Sequence, residues 1–365
     1  MKVLLVVPRL NIGGAESYVF TLATGLRSRG IDVVIVSGGG QLANALKQAG
    51  FKHYYCPIRL NRYLAGHALT YIIRREEIDL VHANSTAAAY AAAIACETAG
   101  VPWVMTAHGV FSSSEADRGI RQAAQIICVS DFLKNYLIVN SRVSSSSLVT
   151  IYNGVDLEIF NSAKANKNLR INWNLKNDDF VVGLISRMAT RNNKGHYDMI
   201  QAMATQSESK PWKLLVIGKG KSAWRIKLKV LLKGLRNRII FAGHQTDVPN
   251  TIAACDILIL PSILETFGLV LAEGMAMKKP VISYAVGGTP EAVEHGISGF
   301  LVSSGNANEM MELIDRLYHD RELGKTLGEN GLKRVETLFD SKNMVEETIS
   351  LYNKVLGSEV DKPCS

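Results

Sequence analysis

The sequence lacks the long hydrophobic run that a membrane span needs. Its densest apolar stretch, residues 87–95, is mostly alanine and is much shorter than the ~20 apolar residues that cross a bilayer. The apolar run over residues 3–7 is too short for the core of a signal peptide, so it predicts a first buried strand. These absences predict a soluble protein.

Cysteine is scarce and unpaired. The five cysteines, at positions 56, 96, 128, 255 and 364, are odd in number and include no CxxC pair. This spacing disfavours both a disulfide framework and a zinc site, and it predicts a reducing, cytoplasmic setting. No metal is expected from any cluster of ligand residues in the sequence.

Acidic residues are missing from the segment 219–238. Its cations equal in number the net charge of +8 of the whole chain: Lys219, Lys221, Arg225, Lys227, Lys229, Lys233, Arg236 and Arg238. Its apolar residues recur at helical spacing and predict an amphipathic helix: Trp224, Leu228, Leu231, Leu232 and Leu235. Two interpretations stay open, a core-packed helix with a basic outer face, which is the commoner case, or a face that contacts an anionic membrane or substrate. Nucleic acid is not expected as a partner, because no binding motif accompanies the cations.

The glycine motifs of nucleotide-binding proteins are incomplete. The stretch VIGKGKSA, residues 216–223, resembles the end of a P-loop, but Leu215 stands where that motif needs its first glycine. A dinucleotide site needs an acid about 20 residues further on, where this chain has Arg236 and Arg238. The stretch therefore predicts a plain turn from strand to helix.

Short β-rich runs alternate with helical stretches through both halves of the chain. The runs are KVLLVV, IDVVIVSG, DLVHANS, VPWVMTAHG, QIICVS and SLVTIYNG, then FVVGLIS, WKLLVIG, RIIFAG, DILILPS, PVISYA and GFLV. This alternation predicts two doubly wound α/β domains with parallel sheets. We place a Rossmann-like domain over 1–160, a linker over 161–179, a second Rossmann-like domain over 180–340 and a last helix over 341–365. Such domains facing each other would enclose a cleft at the carboxyl ends of their strands.

Two loops of the first half carry candidate residues. Gly13 and Gly14 follow the first strand and precede a helix, whose N-terminus favours an anion, although such turns are also common as plain structure. His108 ends a strand at the edge where the cleft is expected, which makes it a better candidate for chemistry than a histidine on an apolar face. His82 is a weaker candidate with a supporting role.

A stretch of the second half, residues 184–199, contains a polar loop with three cations. Arg187 and Lys194 flank it, and Arg191 lies between them. Cations that converge on one loop suit a diphosphate, because Arg can bind two phosphate oxygens and Lys acts as a point charge. An ordinary solvated loop would have a similar charge.

Two glutamates flank the start of a predicted helix. Glu265 precedes it, Gly268 opens it and Glu273 lies two turns inside it, so the carboxylates can address two ends of one long ligand. The N–H groups of residues 268–270 form a helix N-terminus that suits phosphate. A sugar–diphosphate–nucleoside has this layout, with hydroxyl groups at both ends and an anion in the middle.

These motifs together resemble the retaining glycosyltransferases of the GT-B fold in glycosyltransferase family 4, the glycosyl transferases group 1. The resemblance covers nearly the whole chain through motifs in order: GGAE, the strand that ends at His108, YNGVD, the Arg187–Lys194 loop, Glu-x7-Glu, and GGTPE followed by GISGFLV. It implies transfer of a hexose from a nucleotide-diphosphate sugar, UDP before GDP-mannose, to a glycan or lipid-linked acceptor. The setting would be the synthesis of cell-surface polysaccharide or lipopolysaccharide, in the cytoplasm or at the inner face of the membrane.

The resemblance also implies a role for each candidate residue. Glu265 would hold the donor sugar and Glu273 the ribose, while Arg187 and Lys194 would neutralise the leaving diphosphate. Gly14 would close over the donor, and His108 would orient the sugar. The remaining donor-binding positions would be Ser262, Phe267, Gly268, Leu269, Val270 and His244, with Ser262 and His244 near the base. In the family the two cations usually lie closer than seven positions, so Arg191 is an alternative to Lys194.

The resemblance implies a reaction without a metal or any cofactor beyond the donor. Cations and helix amides can stabilise the leaving group without a divalent ion, and no strand end carries a DxD motif. No evident nucleophile is present, which favours attack on the same face as the leaving phosphate. Other functions stay open: an epimerase or phosphorylase on the same fold, an NAD-dependent oxidoreductase, and an inactive glycan- or membrane-binding protein.

Overall fold

Two parallel sheets, each with its own helices, organise the chain. The computed structural model describes residues 1–111, 119–141, 143–164, 167–188, 193–205 and 211–360, without the side chains of 167, 168 and 358–360. The first unit comprises Met1–Gly154 with Asp340–Ser365, and the second comprises Val155–Phe339. The segment 161–179, which the sequence predicts as a linker, is thus part of the second unit.

The first unit contains a seven-stranded sheet in the order β3-β2-β1-β4-β5-β6-β7. Its strands are β1 Lys2–Val7, β2 Asp32–Ser37, β3 Lys52–Tyr55, β4 Leu80–Ala83, β5 Trp103–Ala107, β6 Gln125–Cys128 and β7 Leu148–Thr150. Its helices are α1 Gly14–Ser28, α2 Gln41–Gln48, α3 Arg62–Glu76, α4 Thr86–Ala99 and α5 Asp131–Asn140, with a 3-10 turn at Ser145–Ser147.

The second unit contains a six-stranded sheet in the order β10-β9-β8-β11-β12-β13. Its strands are β8 Phe180–Ile185, β9 Trp212–Ile217, β10 Ile239–Gly243, β11 Ile257–Leu260, β12 Val281–Tyr284 and β13 Phe300–Val302. Its helices are α6 His196–Thr205, α7 Ala223–Leu232, α8 Val248–Ala253, α9 Leu269–Ala276, α10 Thr289–Ala292, α11 Ala307–His319 and α12 Arg321–Leu338, with a 3-10 segment at Lys167–Trp173.

All strand pairs within the two sheets are parallel, which confirms the predicted α/β class. In each sheet the strand order reverses next to the first strand, between β1 and β4 and between β8 and β11. Ligands of doubly wound sheets bind outside the carboxyl ends of the strands at this switch point. A ligand of the second unit is therefore expected at the loops after β8 and β11.

Short polar side chains start several of the helices. Asn61, Ser85, Ser130 and Asp320 each accept a hydrogen bond from a backbone N–H group in the first turn of the helix that follows. Such caps satisfy N–H groups that have no partner inside the helix.

The last helix, α13 Ser341–Val360, contributes to the core of the first unit. Met344, Val345 and Tyr352 are buried there among the residues of β1 and α1. Gly154 permits the close approach of the helix start, because a Cβ atom at this position would lie 2.4 Å from the Cα atom of Ser341.

Arg170 explains why the predicted linker is part of the second unit. Its guanidinium group is buried and donates to the carbonyl oxygen of Ala254 and to the carboxylate of Asp256, at 2.9 Å in each case. A cation held in this way anchors the 3-10 segment to the sheet. A polar, Asn-rich composition therefore does not mark a free linker here.

Candidate active site

Two loops meet at the switch point of the second sheet. The N–H group of Ile263, after β11, donates to the carbonyl oxygen of Asn193, after β8, at 3.1 Å. Gly195 has φ +68°, and a Cβ atom there would lie 1.9 Å from the carbonyl oxygen of Pro261. Glycine is therefore required at 195 on two grounds, its left-handed backbone and the contact with the other loop.

Lys194 and Glu265 form an ion pair across these loops. The Nζ atom of Lys194 lies 2.6 Å from the Oε2 atom of Glu265, and both side chains are 18% exposed. The carbonyl oxygen of Glu265 also accepts from the N–H group of Gly288, which follows β12. The structure thus brings together two of the predicted catalytic residues, 71 positions apart in the chain.

Arg187 is the other predicted cation of the loop after β8 that the structure describes. Arg187 is exposed, and its guanidinium group has no ion-pair or hydrogen-bond partner among the residues that the structure describes. Arg191, the alternative to Lys194, lies outside the described residues. Arg187 can therefore accept an anionic ligand without first losing a described contact.

The helix α9 begins as the sequence predicts. Gly268 has φ +87°, a left-handed conformation, and Leu269 is the first helical residue. The first N–H groups of a helix, here those of Leu269 and Val270, have no partner within it. The ring of Phe267 is buried and lies edge-on to Phe339 at 5.1 Å between centroids, so this residue can offer a ligand only its backbone.

Glu273 lies on α9, two turns from the Glu265 loop. Among the described residues, no group donates a hydrogen bond to its carboxylate or forms an ion pair with it. Part of the side chain stays accessible, yet burial raises the pKa of Glu273 to about 8. A carboxyl group kept neutral in this way can both donate and accept hydrogen bonds, which suits a pair of hydroxyl groups.

Three further polar groups, which follow β8, β10 and β11, are buried and lack a partner within the described part of the chain. They are the hydroxyl of Ser262, the side-chain oxygen of Asn193 and the Nε2 atom of His244. Burial, together with the nearby Lys219, lowers the pKa of His244. Buried polar groups without partners are costly, so these three are available for a ligand. Asn193 was not predicted, although its place beside Lys194 at a strand's carboxyl end is the signal that could have identified it.

The glycines of VIGKGKSA have a packing role. A Cβ atom at Gly218 would lie 2.1 Å from the carbonyl oxygen of Ser186, and one at Gly220 would lie 2.0 Å from that of Met188. These glycines let the loop after β9 contact the loop after β8, so no phosphate is needed to explain them.

The predicted residues of the first unit lie at the carboxyl ends of β1 and β5. Gly14 is the first residue of α1, and a Cβ atom on Gly13 would lie 2.6 Å from the Oε2 atom of Glu16. A carboxylate thus already lies at this helix N-terminus, and an incoming phosphate would have to displace it.

His108 lies edge-on to Tyr18, with 4.8 Å between the ring centroids. Burial lowers the pKa of His108 to about 4, so its imidazole is neutral near pH 7. Tyr18 is within 3.1 Å of the Thr106 hydroxyl, which lies 2.7 Å from the Nε2 atom of His82. The Nδ1 atom of His82 lies 2.6 Å from the hydroxyl of Tyr352 on α13. His82 therefore belongs to a buried polar network behind His108.

The described residues contain no group of three His, Cys, Asp or Glu side chains placed to hold a metal ion. The four cysteines among them are free and buried. Within the same residues, no helix combines the length and the hydrophobicity of a membrane span.

Two family models match successive parts of the chain. The model for Glycosyltransferase Family 4 matches residues 12–159, and the model for Glycosyl transferases group 1 matches residues 165–334. An uncharacterized glycosyltransferase of Methanocaldococcus jannaschii is 33% identical over 278 residues, which are 71% of this chain and 71% of that protein. The chain belongs to glycosyltransferase family 4. The resemblance inferred from the motifs is confirmed.

Another relative and one solved structure extend the comparison. The capsular polysaccharide biosynthesis glycosyltransferase CapM of Staphylococcus aureus is 32% identical over 241 residues, which are 64% of this chain and 62% of CapM. The crystal structure of HepE of Anabaena with UDP-glucose has a TM-score of 0.85 and 25% identity, and the match covers 97% of this chain and 100% of HepE. These likenesses confirm the GT-B fold and a glycosyltransferase that acts on nucleotide sugars.

Proposed function

We propose that this enzyme transfers a hexose from a UDP-sugar, with retention and without a metal ion, to a glycan or lipid-linked acceptor. The observation that carries the proposal is the Lys194–Glu265 pair at the switch point of the second sheet. It provides a cation for a diphosphate and a carboxylate for sugar hydroxyls within one contact. GDP-mannose is the second choice of donor.

The likeness to HepE supports the choice of UDP, because that protein was crystallised with UDP-glucose at 25% identity to this chain. The buried, unpartnered groups of Ser262 and His244 offer a hydrogen-bond donor and an acceptor for a pyrimidine base. Glu273 would take the ribose hydroxyls, and the first amides of α9 the phosphates.

Lys194 changes partner in the proposed reaction. It leaves Glu265 for the diphosphate, and Glu265 then accepts hydrogen bonds from the sugar. As the bond from the anomeric carbon to the phosphate oxygen breaks, Lys194 and the exposed Arg187 stabilise the charge on the leaving UDP. The acceptor oxygen forms its bond on the same face and gives its proton to the leaving phosphate. The roles of Gly14 and His108 in the reaction remain predictions.

The similarity to CapM supports an acceptor in polysaccharide synthesis, with lipopolysaccharide as a second setting. A lipid-linked acceptor would place the enzyme at the inner face of an anionic membrane. This location is part of the proposal.

Thermal unfolding with a panel of sugar nucleotides tests the donor, since a ligand that binds the folded state raises the unfolding temperature. We expect a UDP-sugar to give the largest rise. Glu273→Ala should weaken the binding of UDP itself, whereas Glu265→Ala should leave UDP binding nearly unchanged and slow the release of UDP in the presence of acceptor.

Equal defects of both variants toward UDP would contradict the assignment of the two glutamates to opposite ends of the donor. Conversion of the donor sugar to an epimer without release of UDP would contradict the transfer reaction.

A further inference from the structure

The helix α7 exposes the apolar face that its sequence predicts to be buried. Trp224 is 61% exposed and Leu232 is 75% exposed, and Leu228 and Leu231 are exposed as well. The helix instead packs on the sheet through Ile226 and Val230. The interpretation that Leu228, Leu231 and Leu232 pack in the core is therefore wrong. Leu235, which follows the helix, is buried.

Cations surround this exposed face and have no acid nearby in sequence. Six are exposed and form no ion pair with any residue in the described part of the chain: Lys219, Lys221, Arg225, Lys227, Lys233 and Arg236. Two of them lie over aromatic rings, Arg225 over Trp224 at 5.1 Å and Lys227 over Phe241 at 5.5 Å. We call the exposed residues of 219–236 the α7 surface.

A groove continues the α7 surface between the helix and the edge strand β10. It has a volume of about 420 Å³, and its lining includes Lys227, Leu228, Leu231, Arg236, Ile239 and Phe241. Aliphatic and aromatic side chains therefore share this recess with two cations. Such a lining fits a molecule that is apolar along its length and anionic at one end.

We propose that the α7 surface docks on an anionic phospholipid bilayer, with an acyl chain entering the groove. Positive charge without acids matches the negative charge of lipid headgroups, and each exposed Lys or Arg strengthens such binding about fivefold. Trp and Leu side chains beside the cations would enter the boundary between headgroups and chains. The inference rests on the proposed function in one respect: a lipid-linked acceptor would be bound at the membrane that the α7 surface contacts.

A second exposed apolar patch, on the first unit, provides the control. Tyr63 and Leu64 on α3 are 59% and 64% exposed, compared with 61% and 75% for Trp224 and Leu232 on α7. The charges next to these two residues in sequence are Arg59 and Arg62, and the acids Glu76, Glu77 and Asp79 come only at the far end of α3. Over residues 59–79 four arginines and three acids leave a net charge of +1, against +8 over residues 219–238. Charge complementarity therefore favours α7 over α3 as the surface that contacts lipid.

Sedimentation of the full chain with vesicles tests the proposal, without a sugar donor. We expect binding to phosphatidylcholine vesicles that contain phosphatidylglycerol, weak binding to phosphatidylcholine alone, and release by salt. Arg225→Gln with Lys233→Gln should weaken binding roughly 25-fold. Trp224→Ser with Leu232→Ser should weaken it at least about tenfold, while Tyr63→Ser with Leu64→Ser should change it less than twofold.

Several outcomes would overturn the proposal. Full binding by both α7 variants would do so, as would a loss confined to the α3 control. The proposal would also be overturned if the protein formed a concentration-dependent dimer that the α7 substitutions dissociate without changing vesicle binding. The α7 surface would then bind a second copy of the chain. The rise in unfolding temperature with UDP should be the same in all variants, which separates a failure of this proposal from a failure of the donor site.

Discussion

The two units differ in whether their buried polar groups have hydrogen-bond partners. The groups compared are those behind His108 in the first unit and those of the loops after β8 and β11 in the second. Tyr18, Thr106, His82 and Tyr352 form one continuous network of hydrogen bonds and are almost fully buried. In the second unit, Ser262 and Asn193 keep buried polar atoms without a partner among the described residues.

This difference separates structural polarity from polarity available to a ligand. A satisfied network gains little from a further partner, because its donors and acceptors are already used. Unpaired groups on loops, by contrast, lower the stability of the ligand-free protein. This loss is recovered when a ligand supplies the missing hydrogen bonds. Burial of a polar residue is therefore no guide to function until its partners are known.

Loss of Lys194 should have the largest effect. Lys194→Met removes the cation proposed for the leaving diphosphate and leaves Glu265 without its partner. We expect kcat to fall about a hundredfold or more, by analogy with other groups that stabilise developing charge. Release of UDP, measured against donor concentration, gives kcat and KM separately.

Lys213 provides a matched control for Lys194. Its Nζ atom also lies 2.6 Å from a carboxylate, that of Asp179, but this ion pair lies at the amino ends of β8 and β9, whereas the switch-point loops follow the carboxyl ends of β8 and β11. Lys213→Met should cost at most about 1 kcal/mol of stability and leave kcat unchanged. Equal losses of activity in the two variants would remove the distinction between a donor-site cation and an ordinary ion pair.

A methyl group at Gly195 should separate the two switch-point loops. Gly195→Ala adds a Cβ atom that would lie 1.9 Å from the carbonyl oxygen of Pro261, so the backbone has to move. We expect loss of the thermal shift with UDP and a stability loss larger than about 1 kcal/mol. Gly234→Ala is the control, because Gly234 has φ +69° with open space around it and should cost only the ~1 kcal/mol of the left-handed conformation.

Removal of one hydroxyl should show whether the network of the first unit is structural. Tyr352→Phe leaves the Nδ1 atom of His82 buried without a partner, at a cost of about 1–3 kcal/mol. Urea unfolding measures this loss, and kcat should stay within about threefold. Tyr71→Phe, at an exposed tyrosine of α3, should change neither quantity. A large drop in kcat with unchanged stability would assign the network a direct part in catalysis.

The pH dependence of stability should report on the protonation of Glu273. Because the pKa of Glu273 is raised from 4.5 to about 8, the folded state binds a proton that the unfolded state has lost between these values. The contribution of Glu273 to stability should therefore fall as pH rises through this window, by less than the ~1.4 kcal/mol per pH unit that one full proton gives. Urea titrations at pH 5 to 8 should show that the difference in unfolding free energy between the wild type and Glu273→Gln falls with rising pH, and a constant difference would contradict this prediction.

The sequence predicted much of the fold because most strands are apolar and closed by turn residues. Each of the twelve quoted runs contains a strand of the structure. The strand Lys52–Tyr55 was missed because its sequence, KHYY, is polar and only partly buried at the edge of the sheet. The exposure of α7 was also missed, since helical spacing defines an apolar face without saying where the sheet lies.

By itself the sequence determined the α/β class, the order of its strands along the chain and the residue types available at each strand end, because these depend on local periodicity and turn chemistry. Only the tertiary structure decided that Lys194 meets Glu265, that His82 is satisfied by Tyr352 and that Glu273 has no cation beside it among the residues described. Such pairings join residues far apart in the chain. They arise from the packing of whole elements against each other, which no local pattern contains.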